Sequence, residues 1–299
     1  MEYLVWQTAS DEVVCLICAP MEGQRIPKGQ TTFPGGYYPP AHPNCRCGVT
    51  AVTEVAAEVL SGAAVPGPAA SRVMGPAGER IGNKFTGLPK KGKMIGPLTE
   101  ALNAIDSVHG DGPLPDLPVR ITSGDARQAE FRRTMPSGKS LDIGVSSKAD
   151  RPSMAFAHEI GHFIDNEQFN IRGNVSALSK QGTPLPEGIA SWRDAVLKSQ
   201  TYDRLHQQAT GKLGVIGGSG KSFPADFTYC RYLESDIELW ARSYAQYIAT
   251  RSNSALLMAE LRIEQESSLA RYAVQWQDDD FEPIAKAIDA IFEEKGWRK

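Results

Sequence analysis

Residues 152–169 read PSMAFAHEIGHFIDNEQF, and this segment decides how the second half of the chain is organised. A helix N-terminal signal at Asp150 and the spacing of the apolar residues predict a helix through the segment. His158 and His162 are four positions apart, so the helix presents both imidazoles on one face, one turn apart. That separation suits two nitrogen ligands of one tetrahedral zinc ion, each about 2.0–2.1 Å from the metal. The segment therefore predicts a metal-binding helix.

Glu159 is the residue of this segment that we expect to take part in chemistry. It is rotated by about 100° from His158 around the helix axis, so it flanks the metal rather than binding it. A carboxylate there can accept the proton of an attacking water and pass it to a leaving amine. Gly161 costs about 1 kcal/mol in a helix relative to Ala. Its presence indicates that another helix or the third ligand approaches closely at this point.

The third ligand has several candidates, because a catalytic zinc usually takes three protein ligands and leaves one position for water. The extended metzincin pattern needs Gly and His where Asp165 and Gln168 stand, which argues against that class. His206 lies in a polar helical stretch and is a weak candidate. Glu238 lies on a predicted amphipathic helix and is the preferred candidate. Glu234, one turn earlier, is the rival.

A resemblance to a known family supports Glu238. Residues 238–242, ELWAR, resemble the third-ligand helix of gluzincins of the anthrax lethal factor type. The pattern His-Glu-x-Gly-His followed three residues later by Asp, met here by Asp165, is similar to the same group. The resemblance covers these two helices only, and the segment between them is longer than expected. In that family a Tyr near the third ligand stabilises the oxyanion, and Tyr229 and Tyr232 precede Glu238 at a different spacing. The resemblance implies a peptidase with Glu159 as general base and the metal ligands His158, His162 and Glu238.

Four of the five cysteines lie in the first 50 residues. In a reducing compartment, cysteines this close together indicate a metal site more than a disulfide. They could form a closed Cys₄ or Cys₃His structural zinc site, although one intervening residue in the second pair is tight. A disulfide or free thiols remain the alternatives. The candidate ligands are Cys15, Cys18, His42, Cys45 and Cys47.

The same region carries a second resemblance. Residues 6–47, and above all the run HPNCRC at 42–47, look like the C-terminal end of phage Mu F-like minor head, or head morphogenesis, proteins. This resemblance implies phage capsid or portal proteins as partners and association with a virion. It leaves two alternative functions open. One is a head-associated structural protein with non-catalytic zinc sites, and the other is a peptidase toxin or effector delivered with the virion.

Composition excludes several classes of partner. The chain has 299 residues, 41% of them hydrophobic and 22% charged, with a net charge of −3. Such a charge drives the protein neither toward nucleic acid nor toward an anionic membrane. The peptidase resemblance of the two predicted helices implies a peptide or protein substrate. No apolar run approaches the roughly 18 residues of a membrane span. The N-terminus lacks the features of a signal peptide, which predicts a cytoplasmic location in a bacterial host.

Three regions differ in composition. We predict a cysteine-rich module over 1–50, a linker rich in Ala, Gly and Pro over 51–96, and a zincin-like domain over 97–299. Strands before helices indicate an α+β class with a small, mostly antiparallel sheet and active-site helices. Residues 130–134 and 140–146 are predicted to form a hairpin. Its second arm is the expected edge strand that pairs with an extended substrate.

Overall fold

A computed structural model describes ten parts of the chain, and the chain divides into two compact units. The described residues are 2–7, 25–30, 32, 48–53, 81–110, 114–123, 128–134, 138–168, 185–216 and 222–298. The first unit comprises Met1–Val73 with Met135–Ser137, and the second comprises Met74–Thr134 with Gly138–Lys299.

The described residues of the first unit form a three-stranded antiparallel sheet. Its strands are β1 (Glu2–Gln7), β2 (Arg25–Pro27) and β3 (Gly48–Thr53), in the order β2-β1-β3. β3 extends past the predicted module boundary at residue 50. The candidate ligands Cys15, Cys18, His42, Cys45 and Cys47 lie outside the described residues, so the structural zinc site stays a prediction.

The second unit is built on a four-stranded mixed sheet with the order β4-β5-β7-β6. β7 pairs in parallel with β5 and in antiparallel fashion with β6, and β4 pairs in parallel with β5. The strands are β4 (Phe85–Thr86), β5 (Leu117–Thr122), β6 (Ala129–Arg133) and β7 (Ser140–Ser146).

Two predictions about this sheet were wrong, although the predicted hairpin is present. The sheet is not mostly antiparallel, because the second arm of the hairpin, and not the first, lies against β5. Two successive reversals of the chain direction then make β7 run parallel to β5. β7 is therefore a central strand, and its Ile143 and Val145 are fully buried. The edge strands are β6 and β4, so residues 140–146 are not the edge strand that we expected.

The described residues also contain eight helices, which confirms the α+β class. The helix predicted through residues 152–169 is present as Pro152–Gln168. A helical stretch was predicted around His206, and a helix lies there at Gln200–Ala209, whereas the short helix Phe227–Leu233 was not predicted. No helix in the described ranges is both long and apolar enough to cross a membrane. The helices are α1 (Ile95–Val108), α2 (Pro152–Gln168), α3 (Glu187–Leu197), α4 (Gln200–Ala209), α5 (Phe227–Leu233), α6 (Asp236–Arg251), α7 (Ala255–Ala270) and α8 (Asp278–Glu294). A two-stranded ribbon, β8 (Val215–Ile216) with β9 (Ser222–Phe223), lies between α4 and α5 in the chain.

The last part of the predicted linker belongs to the folded core. Ile81 begins a 3-10 helix and is fully buried, and Phe85 of β4 is also buried. The Phe85 ring packs edge-on against Phe156 and Phe163 of α2, with centroid distances of 5.6 and 5.9 Å. The boundary predicted at residue 96 is therefore too late. The elements here are too short to show a periodic hydrophobic pattern, which explains the error.

α2 lies between the sheet and α6. Phe163 contacts Phe131 of β6 at a centroid distance of 6.0 Å, so this side of α2 faces the sheet. On another side, the indole Nε1 of Trp240 in α6 donates to the Gly161 carbonyl at 3.0 Å. This layering buries most of α2 and sets α6 against the segment that carries the two histidines.

Candidate metal centre

His158 and His162 lie on one side of α2, as the helical spacing predicts. Their ring centroids are 4.7 Å apart and the ring planes are nearly perpendicular, at 86°. Their side chains keep 16% and 11% of their surface exposed, whereas the neighbours Ile160 and Phe163 are fully buried. The two imidazoles are therefore the solvent-accessible part of an otherwise buried stretch of helix.

Glu238 of α6 lies next to the two imidazoles. Ser235 is the N-cap of α6, and its side chain accepts from the Glu238 backbone N–H. That cap places Glu238 in the first turn of the helix, where its side chain is buried. Because α6 packs along α2, the first turn of α6 faces the histidines across the helix pair.

The close approach of the two helices depends on small residues. A Cβ atom added to Gly161 would lie 3.0 Å from the Ala241 Cα and 3.1 Å from Cδ1 of Tyr244. Both distances are shorter than the roughly 3.5–4.0 Å of an ordinary carbon contact. The expectation that another helix approaches at Gly161 is thus confirmed. Ala241 is one turn after Glu238, so this contact fixes how near Glu238 lies to the histidines.

Tyr244 and His109 form a buried support behind this contact. The Tyr244 hydroxyl lies 2.8 Å from Nε2 of His109, and Nδ1 of His109 lies 2.5 Å from the Gly110 carbonyl. A carbonyl can only accept, so His109 carries its proton on Nδ1 and Tyr244 donates to Nε2. Burial raises the pKa of Tyr244 well above its ordinary value, which keeps the hydroxyl protonated. The pair holds Tyr244 in place against Gly161.

The three side chains converge on one point. Glu238 Oε1 lies 3.1 Å from His162 Nε2, and Glu238 Oε2 lies 3.4 Å from His158 Nε2. One ligand atom from each residue lies within 4.8 Å of the other two, a grouping that could hold a single metal ion. The structure thus brings together the three residues that the sequence analysis selected as ligands.

The electrostatics of Glu238 favour its charged form. Burial by itself raises the pKa of the Glu238 carboxyl, but the imidazoles of His162 and His158 outweigh burial and hold that pKa well below its ordinary value. An ionised carboxylate is the protonation state of Glu238 that binds a divalent metal.

Glu159 lies beside His158 in α2 and is only 2% exposed. Asp165, the residue shared with the resembling family, is fully buried in the same helix. His158 is the more exposed of the two histidines.

The rival ligands pair with each other outside the cluster. Nδ1 of His206 lies 2.7 Å from Oε1 of Glu234, and Nη1 of Arg231 lies 3.5 Å from Oε2 of the same carboxylate. Glu234 precedes the N-cap of α6, so it does not share a helix face with Glu238. Neither His206 nor Glu234 belongs to the converging group.

The two tyrosines on α5 form an aromatic cluster. Tyr229 stacks on Tyr232 with centroids 6.2 Å apart and meets Tyr272 edge-on at 4.8 Å. Tyr229 is also among the exposed large side chains. The role of either tyrosine in stabilising an oxyanion stays a prediction.

The sequence analysis missed two residues that hold the metal-binding helices. The Glu260 carboxylate of α7 accepts from the Met154 backbone N–H at 2.7 Å and so caps the start of α2 from a distant part of the chain. Arg242 of α6 is buried one turn after Glu238. A charged residue on the buried face of an amphipathic helix was a signal for Arg242. Glu260 offered none, because its partner is 106 residues away.

Comparison of the chain with protein families, curated proteins and solved structures found no match. The site is therefore interpreted from its own geometry.

Proposed function

We propose that this protein is a zinc-dependent peptidase with a single catalytic metal in a zincin-like domain. The convergence of His158, His162 and Glu238 from two helices carries the proposal. Two atoms that each lie about 2.0–2.1 Å from one tetrahedral ion are about 3.3–3.4 Å apart. The observed separations are close to that value, at 3.1 Å from His162 Nε2 to Oε1 of Glu238 and 3.4 Å from His158 Nε2 to Oε2 of the same carboxylate.

The donor set also fits a catalytic site better than a structural one. Structural zinc sites are closed by four protein ligands, whereas catalytic sites use three and keep one position open. Within the described residues the cluster has three members, two imidazoles and one carboxylate. Partial exposure of both histidines leaves a side from which water and substrate can approach.

Each residue has a distinct role in the proposed reaction. His158 and His162 would hold the zinc ion through their Nε2 atoms, and Glu238 would hold it through a carboxylate oxygen. When bound, zinc lowers the pKa of water to about 7 and polarises a carbonyl oxygen. Glu159 accepts the proton of the attacking water at its carboxylate and then donates it to the nitrogen of the departing amine.

The mixed sheet offers a surface for an extended peptide. β6 is the edge strand next to α2, through the contact of Phe131 with Phe163. No other strand in the described part of the chain pairs with the outer side of β6. An extended substrate can add to such an edge by main-chain hydrogen bonds. β6 thus takes the role that the sequence analysis gave to residues 140–146.

The phage resemblance bears on where such a peptidase would act. We propose the cytoplasm of a bacterial host, or the virion itself, with capsid or portal proteins as partners. The phage partners in this proposal rest on the resemblance over residues 6–47, above all on the HPNCRC run at residues 42–47.

The decisive experiment compares Glu159→Gln with the wild type. The variant keeps the three ligands, so it should bind the same zinc and lose hydrolysis of a peptide library by about 10²–10⁴-fold. Zinc at the site is measured as the difference in content between the wild type and His162→Ala, which removes any zinc held by the N-terminal cysteines from the comparison. Glu234→Gln is the matched control and should keep both zinc and activity. The proposal fails if that difference is zero or if Glu159→Gln cleaves as fast as the wild type.

A further inference from the structure

Arg242 is a buried cation immediately behind the third ligand. It lies one helical turn after Glu238 and is 5% exposed. Its guanidinium donates to three backbone carbonyls from three parts of the chain. Nε donates to Glu238 at 3.3 Å, Nη2 donates to Leu233 at 2.5 Å, and Nη1 donates to Val274 at 2.5 Å.

The three carbonyls that accept from Arg242 lie in three different segments of the chain. Leu233 is the last residue of α5, Glu238 lies in the first turn of α6, and Val274 lies in the segment between α7 and α8. The guanidinium also lies over the Trp276 ring, with its carbon 5.5 Å from the ring centroid. One side chain thus joins the start of the ligand-bearing helix to two neighbouring segments.

Burying this charge is costly. Removal of a cation from water costs several kcal/mol, and burial accordingly lowers the pKa of Arg242. Its hydrogen-bond acceptors are neutral carbonyls, which satisfy its donors without neutralising its charge. The attraction of the Glu238 carboxylate opposes the effect of burial. A neutral side chain could fill the space at lower cost, so retention of the charge calls for a role.

We infer that Arg242 is a positioning residue that sets where the third ligand, Glu238, meets His158 and His162. The inference rests on the proposed function, because it concerns the same metal site. The rigid, planar fork of guanidinium N–H groups fixes the directions of its bonds to Glu238, Leu233 and Val274 together. The first turn of α6 is thereby held in place relative to α5 and to the segment between α7 and α8. Loss of the fork frees the turn to shift, and the carboxylate shifts with it.

A residue that only stabilises the fold would behave differently from a positioning residue. It would lower the free energy of unfolding and leave the metal site of the folded protein unchanged. The measurements must therefore report on the coordination of the metal in protein that is fully folded. Arg204 offers a matched control, because it also donates to two backbone carbonyls, those of Ser268 and Leu269, and no ligand lies among its partners.

The experiment uses the full chain and the variants Arg242→Gln, Arg242→Lys and Arg204→Gln. Cobalt(II) is the spectroscopic probe, and each visible absorption spectrum is corrected by subtracting that of the matching variant that also carries His162→Ala. Zinc affinity is measured by competition with a chelator in the absence of denaturant. The temperature is one at which urea unfolding shows that the variant is folded. Arg242→Lys keeps the charge without the fork, so it provides a folded test if Arg242→Gln does not fold.

Arg242→Gln should weaken zinc binding by about 10–100-fold and change the cobalt spectrum, as loss of a residue that orients a ligand does. Arg242→Lys should change both readouts in the same direction, by less. Arg204→Gln should lower stability and leave both readouts unchanged. Wild-type zinc affinity and an unchanged cobalt spectrum in a folded Arg242 variant would overturn the inference. Absence of a cobalt signal from the wild type would instead overturn the proposed function.

Discussion

The substitution Gly161→Ala tests the packing that creates the metal site. The new Cβ would lie 3.0 Å from the Ala241 Cα, 3.1 Å from Cδ1 of Tyr244 and 3.2 Å from Cβ of Tyr244. The Tyr244 ring cannot swing away easily, because its hydroxyl is hydrogen-bonded to buried His109. The Ala241 contact is with backbone, which no side-chain rotation can relieve. α2 and α6 must therefore separate by a few tenths of an ångström.

The expected loss of stability follows from two opposing effects. Overpacking a dense core costs about 1–3 kcal/mol, and replacing a helical Gly by Ala returns up to about 1 kcal/mol. With the full return, the free energy of unfolding of the metal-free protein should fall by up to about 2 kcal/mol, measured by urea denaturation. Glu238 lies one turn from Ala241, and metal ligands tolerate displacements of only about 0.2 Å. Zinc affinity, measured by chelator competition, should therefore fall about tenfold or more.

Gly96→Ala is the control for helix propensity. Gly96 lies in α1, and a Cβ there would meet nothing within 4 Å. This variant should gain up to about 1 kcal/mol and keep the zinc affinity of the wild type. The packing explanation is wrong if Gly161→Ala is as stable as Gly96→Ala and binds zinc as tightly as the wild type.

Two further predictions concern the residues around the site. Glu260→Ala leaves the buried Met154 N–H without its acceptor and should cost about 1–3 kcal/mol in urea unfolding, whereas Glu260→Gln keeps an acceptor. Burial raises the pKa of Glu260 above its unfolded value, so the charged carboxylate costs stability as pH rises through that range. The advantage of Glu260→Gln over the wild type should thus be larger at pH 7 than at about pH 4, and an advantage that grows on acidification would contradict this. His206→Ala breaks the ion pair with Glu234, and the His206 side chain is 48% exposed. The variant should therefore lose less than about 1 kcal/mol of unfolding free energy and keep its zinc binding unchanged. A loss of zinc affinity of about tenfold or more in chelator competition would make His206 or Glu234 a ligand.

Local patterns predicted the histidine pair and the close approach at Gly161, because helix geometry fixes both over a few residues. The first residue of α6 could also be predicted from the sequence. Ser235 and Glu238 form a Ser-x-x-Glu capping pattern, which marks Ser235 as the N-cap. Applied strictly, that pattern places Glu234 outside the helix and separates it from Glu238.

Features that depend on distant contacts could not be predicted in this way. Which arm of the hairpin lies against β5 is decided by packing across the whole sheet, and either order satisfies the same alternation of residues. The burial of Ile81 and Phe85 depends on aromatic partners in α2, far along the chain. The bonds of Arg242 to Leu233 and Val274 likewise join segments that no local pattern connects.

A crystal structure of the full chain grown with zinc, with anomalous data collected at the zinc absorption edge, tests the central claim most directly. The account predicts an anomalous peak about 2.0–2.2 Å from the Nε2 atoms of His158 and His162 and from a carboxylate oxygen of Glu238, with a fourth position open to water. A metal held there by four protein ligands, or zinc-loaded protein without a peak between these three residues, would contradict it.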